Sequence, residues 1–380
     1  VDALLLDKSV GVMVGAAVGD ALGGATEGAS PRQIRERYGG WVDGIAPPFH
    51  TDWATARPLA PYHKGDGHVT DDTLMTHALV RAYAAKRGHL DAYDVAELLV
   101  PDLIERVVFI PDLGREAVAY HRLAAAERWL VSRLHHGHAD PREAGVGNVV
   151  NCGAAMYMAP VGVVNAGDPA GAYAEALDLA GAHQHSYGRE AAGVTAAAVA
   201  AAMSPDATVD DVVAACLELA RDGTRAAVAA VTEAARGFSD ARAAIGPLRA
   251  AMAPYDTVGE DYRDPGLGAR RPSRLHAIEE LPVALGLLVV TGGDYREAVL
   301  GAVNYGRDAD STATIAGAVA GALGGAAVVP AEWSTVVAAA SRLDLAAPGR
   351  TLAEVAAEVL AADRARLEAR AARFGKLLGE

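Results

Sequence analysis

Apolar residues recur along most of this chain at three- and four-residue spacing, the period of a helix that buries one face or its whole surface. The spacing predicts helices over residues 9–22, 73–86, 92–108, 169–182, 189–203, 209–221, 277–290, 295–303, 310–323 and 352–378. Alternating β-branched runs bounded by turns are nearly absent, so the expected fold class is all-α. Two stretches rich in Pro and Gly resist helix, residues 46–67 and 254–276. Loops of that length inside a folded chain are usually functional or disordered, and the first runs straight into an acidic motif, which favours a functional role. No solenoid-period repeat and no linker divides the sequence, so a single domain over residues 1–380 is expected. The last predicted helix mixes Arg, Glu and Ala and reads as an amphipathic surface helix, a candidate oligomer contact.

Composition sharpens the packing expectation. Hydrophobic residues make up 51% of the chain but aromatics only 5%, so Ala and Gly carry much of the apolar content and helices can approach closely. The formal net charge of −14 repels nucleic-acid phosphates and anionic lipid, and no basic patch overrides it; "ARRPSR" at residues 269–274 is too short. The basic groups are almost all Arg, with lysines only at Lys8, Lys64, Lys86 and Lys376. Two cysteines form no disulfide framework and suit a reducing compartment, and "VDALLLDKSV" lacks the features of a signal peptide. No segment reaches the roughly 18 strongly apolar residues of a membrane helix. A soluble, cytoplasmic protein without membrane or nucleic-acid partners is expected, its oligomeric state open.

The chemistry gathers at helix starts. "HVTDDTLMTHALV" sets Thr70, Asp71 and Asp72 before one helix, and "NYGRDADSTATIAGAVAGALGG" sets Asp308, Asp310 and Ser311 before another. One acid or hydroxyl is enough to cap a helix, so each paired set carries repulsion that a cap does not require. If the two starts converge, four carboxylates and two hydroxyls meet in one cleft, which is unfavourable unless cations neutralise it. An all-oxygen set suits Mg²⁺ or Mn²⁺ over Zn²⁺, and this many carboxylates suits two ions roughly 3.5–4 Å apart. A third segment, "GAAVGDALGGATEG", ends a small-residue helix at Gly23 and Gly24 and adds Glu27. On its own it reads as a helix end followed by a solvated acid.

In this order, "GDALGGATEG", "VTDDTLM" and "GRDADSTATIAGAVAGA" resemble the ADP-ribosylglycohydrolase family, which includes the dinitrogenase reductase-activating glycohydrolases. "NCGAAMYMAPVGV", "GAHQHSYGREAAG" and "AIEELPVAL" extend the resemblance over most of the chain. The resemblance implies a compact orthogonal helix bundle with a central cleft, two Mg²⁺ or Mn²⁺ ions, and hydrolysis of the glycosidic bond at C1″ of ADP-ribose. It carries over Thr70, Asp71, Asp72, Asp308, Asp310 and Ser311 as metal ligands, with Glu27 and Asp310 as catalytic candidates. Gly147, Asn151, Cys152, Gly153, Met156, Tyr157, His185 and Arg307 would line the substrate, the diphosphate resting on N–H groups of residues 147–153. The substrate would be an ADP-ribosylated protein or a small ADP-ribosyl or ribosyl compound. Three departures bear on that choice: Arg307 within the last motif, Cys152 where the family usually has a polar residue, and Tyr157 in place of a frequent Arg; Ser311 in place of Thr keeps the hydroxyl ligand.

In the mechanism so implied, the ions grip the vicinal ribose hydroxyls while water attacks C1″. Other readings of the same residues are an N-ribosyl hydrolase for a small nucleoside or nucleotide, an inactive ADP-ribose-binding module, and a phosphoryl hydrolase. His135, His136 and His138 read as a solvated turn, and His183 and His185 as support for the substrate. His77 reads as a satisfied buried histidine, and Cys152 and Cys216 as buried small side chains.

Overall fold

Two helices with almost no large side chains on their shared face cross the centre of the molecule antiparallel. The computed structural model describes residues 2–49, 64–110, 114–256 and 277–379. The first central helix, Ala3–Gly24, is capped by Asp2, whose carboxylate accepts the Leu4 N–H. Its partner is Ala309–Gly324. Gly11, Gly15, Gly19 and Gly23 recur at the four-residue helical period and face Gly321, Gly317, Ala313 and Ala309 in reverse order. A Cβ at Gly11, Gly15, Gly19 or Gly23 would stand 2.2–2.4 Å from the facing carbonyl oxygen, so only glycine permits this approach. Neither helix has a hydrated side beyond its ends, which is why both read as apolar all round.

Neighbouring helices enclose the pair. Tyr295 opens the helix Tyr295–Tyr305 and donates its hydroxyl to Gly15 O (2.8 Å). The buried Lys8 ammonium donates to Ala202 O (3.0 Å) and Ala322 O (2.7 Å), the C-terminal carbonyls of Ser186–Ala202 and of the second central helix. Glu280–Thr291 completes the interior. The last helix, Ala347–Leu378, buries Leu352, Val355 and Val359 near its start and exposes its far half, including Leu367 and Phe374. Among the described residues no helix is long and apolar enough to cross a membrane.

The fold is all-α, with one small hairpin among the described residues, which replaces the end of a predicted helix. Over residues 92–108 the chain forms Ala92–Asp94, a wide π turn at Val95–Leu99, and Val100–Glu105. Pro101 has no N–H for the carbonyl four residues back, and the ladder slips to the wider turn before it. Arg106 then turns extended, and the β-branched run Val107–Ile110 pairs antiparallel with Arg115–Val118, Val107 opposite Val118. Helices at Pro31–Tyr38, Ala125–Val131, Ala159–Val164, Asp222–Ala235, Ala241–Met252 and Ala331–Ser341 add to those predicted. Of the two stretches expected to be loops, residues 50–63 and 257–276 lie outside the described residues.

Candidate metal centre

The stripe of glycines fixes where the second central helix begins. Because Gly23 lies against Ala309 and the Asp310 backbone, the start of Ala309–Gly324 is pressed against the end of Ala3–Gly24. A backbone exchange holds the turn beside it: Gly28 N–H donates to Arg307 O (2.5 Å) and Arg307 N–H to Ala29 O (2.9 Å). Gly306 has positive φ, and a Cβ there would meet Ala29 O at 2.0 Å, so the turn requires glycine. Glu27 is thereby set beside Asp308.

The acidic helix, Asp71–Lys86, is tied to the same place by a residue that sequence reasoning missed. Asp20 is fully buried on the first helix, and its carboxylate accepts the Thr70 N–H (2.9 Å), the Thr73 N–H (3.1 Å) and the Thr73 hydroxyl. Thr70 is the N-cap, its hydroxyl accepting the Asp72 N–H (3.3 Å). The cap of one helix is thus held by an acid from another, and the two acidic starts converge. Asp71 and Asp308 act on the same groups, Lys64 and Glu127.

The carboxylate oxygens fall into overlapping triads. Asp20, Asp72 and Asp310 bring ligand atoms within 4.8 Å of one another, as do Glu27, Asp308 and Asp310, and as do Cys152, Glu280 and Asp308. Asp310 belongs to the first two and Asp308 to the last two. Ser311 lies on the same side, its Oγ accepting from Cys152 Sγ (3.2 Å), which also donates to Asp308 (2.9 Å). Both cysteines are buried as expected, but Cys152 is a member of the acidic cluster while Cys216 lies in the core.

Among the described residues, acids outnumber the one ammonium, Lys64, that pairs with the cluster. Burial, then the Asp310 charge, pushes Asp20 up to about 6, with the Thr73 and Thr70 hydrogen bonds working against the rise. Burial, then Asp310, lifts Asp308 to about 7. Asp72 is raised well above the carboxylate range by burial, then by Asp310, Asp20, Asp71 and Asp308. Glu127 is lifted to about 8 by burial, then by Asp71, and Glu280 is raised by burial and then by Asp308. Asp310 alone goes the other way: burial opposes its ionisation, but the Lys64 ammonium 3.0 Å from Oδ2 and the Asp308 hydrogen bond outweigh it. Lys64 is also paired with Glu27. The chain's own cation therefore stands where a divalent ion would, and Asp72 Oδ2, Glu127 Oε2 and Glu280 Oε2 are buried without a hydrogen-bond partner among the described residues. Converging oxygens, orphaned carboxylates and an ammonium as stand-in fit a hard divalent cation.

The residues expected to line the substrate have varied surroundings. Asn151 Oδ1 accepts from Gly153 N (3.0 Å) and Gln184 Nε2 (2.9 Å), which engages the Gly153 N–H, and Gly147 is exposed with positive φ. Met156 is buried, and Tyr157 is buried with its hydroxyl 3.1 Å from His183 Nδ1. His185 Nε2 lies 3.0 Å from Asn148 O. Arg307 is buried, its guanidinium engaged by Glu279 (2.7 Å) and Asp256 (2.9 Å), to which Arg249 also binds. His135 and His136 are exposed and stack edge to face.

Asp20, Lys64, Glu127 and Glu280 are the cluster members that sequence reasoning missed. Asp20 had little signal, since a single acid in a helix that also carries Asp7 and Lys8 reads as a solvated side chain. Glu280 had a weak one, an acid at the head of an apolar run. Glu127 and Lys64 had none.

A profile of the ADP-ribosylglycohydrolase family matches residues 2–368. Among solved structures, one described as an ADP-ribosylglycohydrolase-related protein complex aligns with 93% of this chain and 97% of its own, at 21% identity and a TM-score of 0.50. At that identity the likeness is one of fold. No curated protein matches the chain.

Proposed function

The chain belongs to the ADP-ribosylglycohydrolase family, and on that premise we propose that it is a divalent-metal-dependent hydrolase cleaving the bond at C1″ of ADP-ribose in protein-linked or related ADP-ribosyl conjugates. The observation that carries the proposal is the sharing of Asp310 between two triads of acidic ligands, one of which contains Asp72, whose Oδ2 has no hydrogen-bond partner among the described residues. Two Mg²⁺ or Mn²⁺ ions would be held by Thr70, Asp71, Asp72, Asp308, Asp310 and Ser311, with Asp20 in support. Bound there, divalent cations supply Lewis acidity toward the vicinal ribose hydroxyls and toward water.

The chain's residues do the remaining work. Asp20 fixes the Thr70 turn through three hydrogen bonds, so the acidic helix presents its carboxylates in one orientation. Glu27 lies beside Asp308, next to the backbone exchange of Gly28 and Ala29 with Arg307, and in this reading it would take a proton from the attacking water. Water adds to C1″, the bond from C1″ to the leaving nitrogen or oxygen breaks, and the leaving group departs with a proton. The carboxylates around the sugar favour the positive charge that builds on C1″ and the ring oxygen in the transition state.

The test is incubation of the purified protein with Mn²⁺ and, separately, ADP-ribosylated arginine, a serine-linked ADP-ribosyl peptide and free ribosides, with released ADP-ribose or ribose measured by mass spectrometry. Release of ADP-ribose that disappears in Asp310→Asn is the expected result. Turnover of free ribosides alone would transfer the site to small N-ribosides, and full turnover in Asp310→Asn would remove the acidic cluster from the reaction.

A further inference from the structure

The acidic helix has a second face. Asp72 belongs to the acidic cluster, whereas Leu74, His77, Val80, Arg81 and Ala84, at helical spacing, form one wall of a separate cavity of about 530 Å³. The hairpin and the start of the last helix close its other sides. Thr70, Asp71 and Asp72 do not line it, although His68 and Val69, immediately before them, do. Its volume is that of a small-molecule pocket and far exceeds a packing defect.

Its charge is opposite to that of the chain. Four guanidiniums line it, Arg81, Arg106, Arg122 and Arg342, against two carboxylates, Glu116 and Asp344, while the whole protein carries −14. Asp344 spends its oxygens on the Ala346 and Ala347 N–H groups and on Arg350. Arg81 is paired with Asp102, Arg342 lies over the Phe109 ring, and the buried Arg122 donates to Val69 O (2.8 Å). The second observation is His77. It lines the cavity, is 7% exposed, and its Nε2 has no hydrogen-bond partner among the described residues. A buried nitrogen left without a partner costs about 1–3 kcal/mol, and a ligand atom in the cavity would relieve it. Burial, followed by the charges of Arg81 and Arg106, lowers the imidazole pKa to about 4, so the ring is neutral and offers one N–H or one lone pair.

We propose that this cavity is a second binding site, separate from the acidic cleft, for a small organic phosphate monoester. The excess of two positive charges matches a dianion, which Arg106, Arg122 and His77 Nε2 would receive. Val80, Phe109 and Leu343 would cover an apolar body of about ring size.

Calorimetric titration of the full chain with phenyl phosphate in EDTA tests the proposal, with inorganic phosphate and benzoate as comparison probes. Saturable one-to-one binding of phenyl phosphate is expected, tighter than either comparison probe. It should weaken about tenfold in Arg106→Gln, whose side chain is partly exposed, disappear in Thr351→Trp, which fills the cavity from its rim, and persist in Asp310→Asn. A shift of the His77 ring resonances on titration reads the same site in the unsubstituted protein should Thr351→Trp fail to fold. Absence of saturable binding, an unmoved His77 resonance, equal binding in Arg106→Gln, or loss in Asp310→Asn would each overturn the proposal.

Discussion

Gly23→Ala is the substitution that links the helix packing to the acidic cluster most directly. The added Cβ would lie 2.2 Å from Ala309 O and 2.7 Å from the Asp310 Cα, while ordinary contact begins near 3.4 Å. Both obstacles are backbone and cannot rotate away, so the helices must part locally by about 1 Å, at an overpacking cost of ~1–3 kcal/mol. Alanine returns up to ~1 kcal/mol through helix propensity, which leaves a net loss. The separation also moves Asp310 away from Asp20 and Asp72, so Mn²⁺ affinity should fall about tenfold or more. Two controls isolate the reasoning. Gly11→Ala meets Gly321 O at 2.4 Å but lies about 18 Å down the helix, so it should cost comparable stability with little change in metal affinity. Gly246→Ala, inside Ala241–Met252 with no packing neighbour within 4 Å of its Cβ but directly before Pro247, should change stability by less than ~1 kcal/mol and leave metal affinity unaltered. Thermal unfolding in EDTA and Mn²⁺ titration followed by electron paramagnetic resonance supply the readouts. Wild-type melting and wild-type affinity in Gly23→Ala would refute the claim that close helix approach sets the cluster.

The raised carboxylates give metal-free stability an unusual pH dependence. Asp20 and Asp308 hold protons in the folded state up to about 6 and 7 but lose them near 4 when unfolded, so their contribution is complete below that value and is lost as pH rises through the folded pKa. Between about pH 4 and 7 the protein in EDTA should therefore lose ~1.4 kcal/mol per pH unit for each such group in its window, Asp20 up to about 6 and Asp308 up to about 7, and saturating Mn²⁺ should remove the slope; a flat metal-free profile over that range would contradict the charge assignment. Lys64→Met takes away the ammonium that pairs with Glu27 and Asp310, and should raise Mn²⁺ affinity while lowering the melting temperature in EDTA. Unchanged affinity there would mean that the ammonium and the ion do not compete.

The helical class and both acidic helix starts were readable because each is local: a period in the apolar residues, and adjacent acids at the head of a run. The close approach of Ala3–Gly24 and Ala309–Gly324 was foreshadowed by their small residues, but the pairing of Gly11 with Gly321 and Gly23 with Ala309 depends on which helices meet, and periodicity does not encode that. Asp20 illustrates the limit. As a single acid it looks like an exposed helix residue, and only the arrival of Thr70 and Thr73 from some fifty residues away gives its carboxylate a purpose. Glu127 belongs to the short helix Ala125–Val131, whose apolar period is too brief to register. Arg307 shows the converse. Its place in the last motif suggested substrate contact, yet a left-handed backbone turns its guanidinium into the ion-pair network of Glu279, Asp256 and Arg249.

The most direct measurement is Mn²⁺ stoichiometry by electron paramagnetic resonance in the wild type, Asp72→Asn and Asp310→Asn. Because Asp310 is common to two triads and Asp72 belongs to one, two ions should bind the wild type, one should be weakened in Asp72→Asn, and both should be lost in Asp310→Asn. Two ions bound with wild-type affinity in Asp310→Asn would contradict the convergence of the acidic helix starts on a divalent centre.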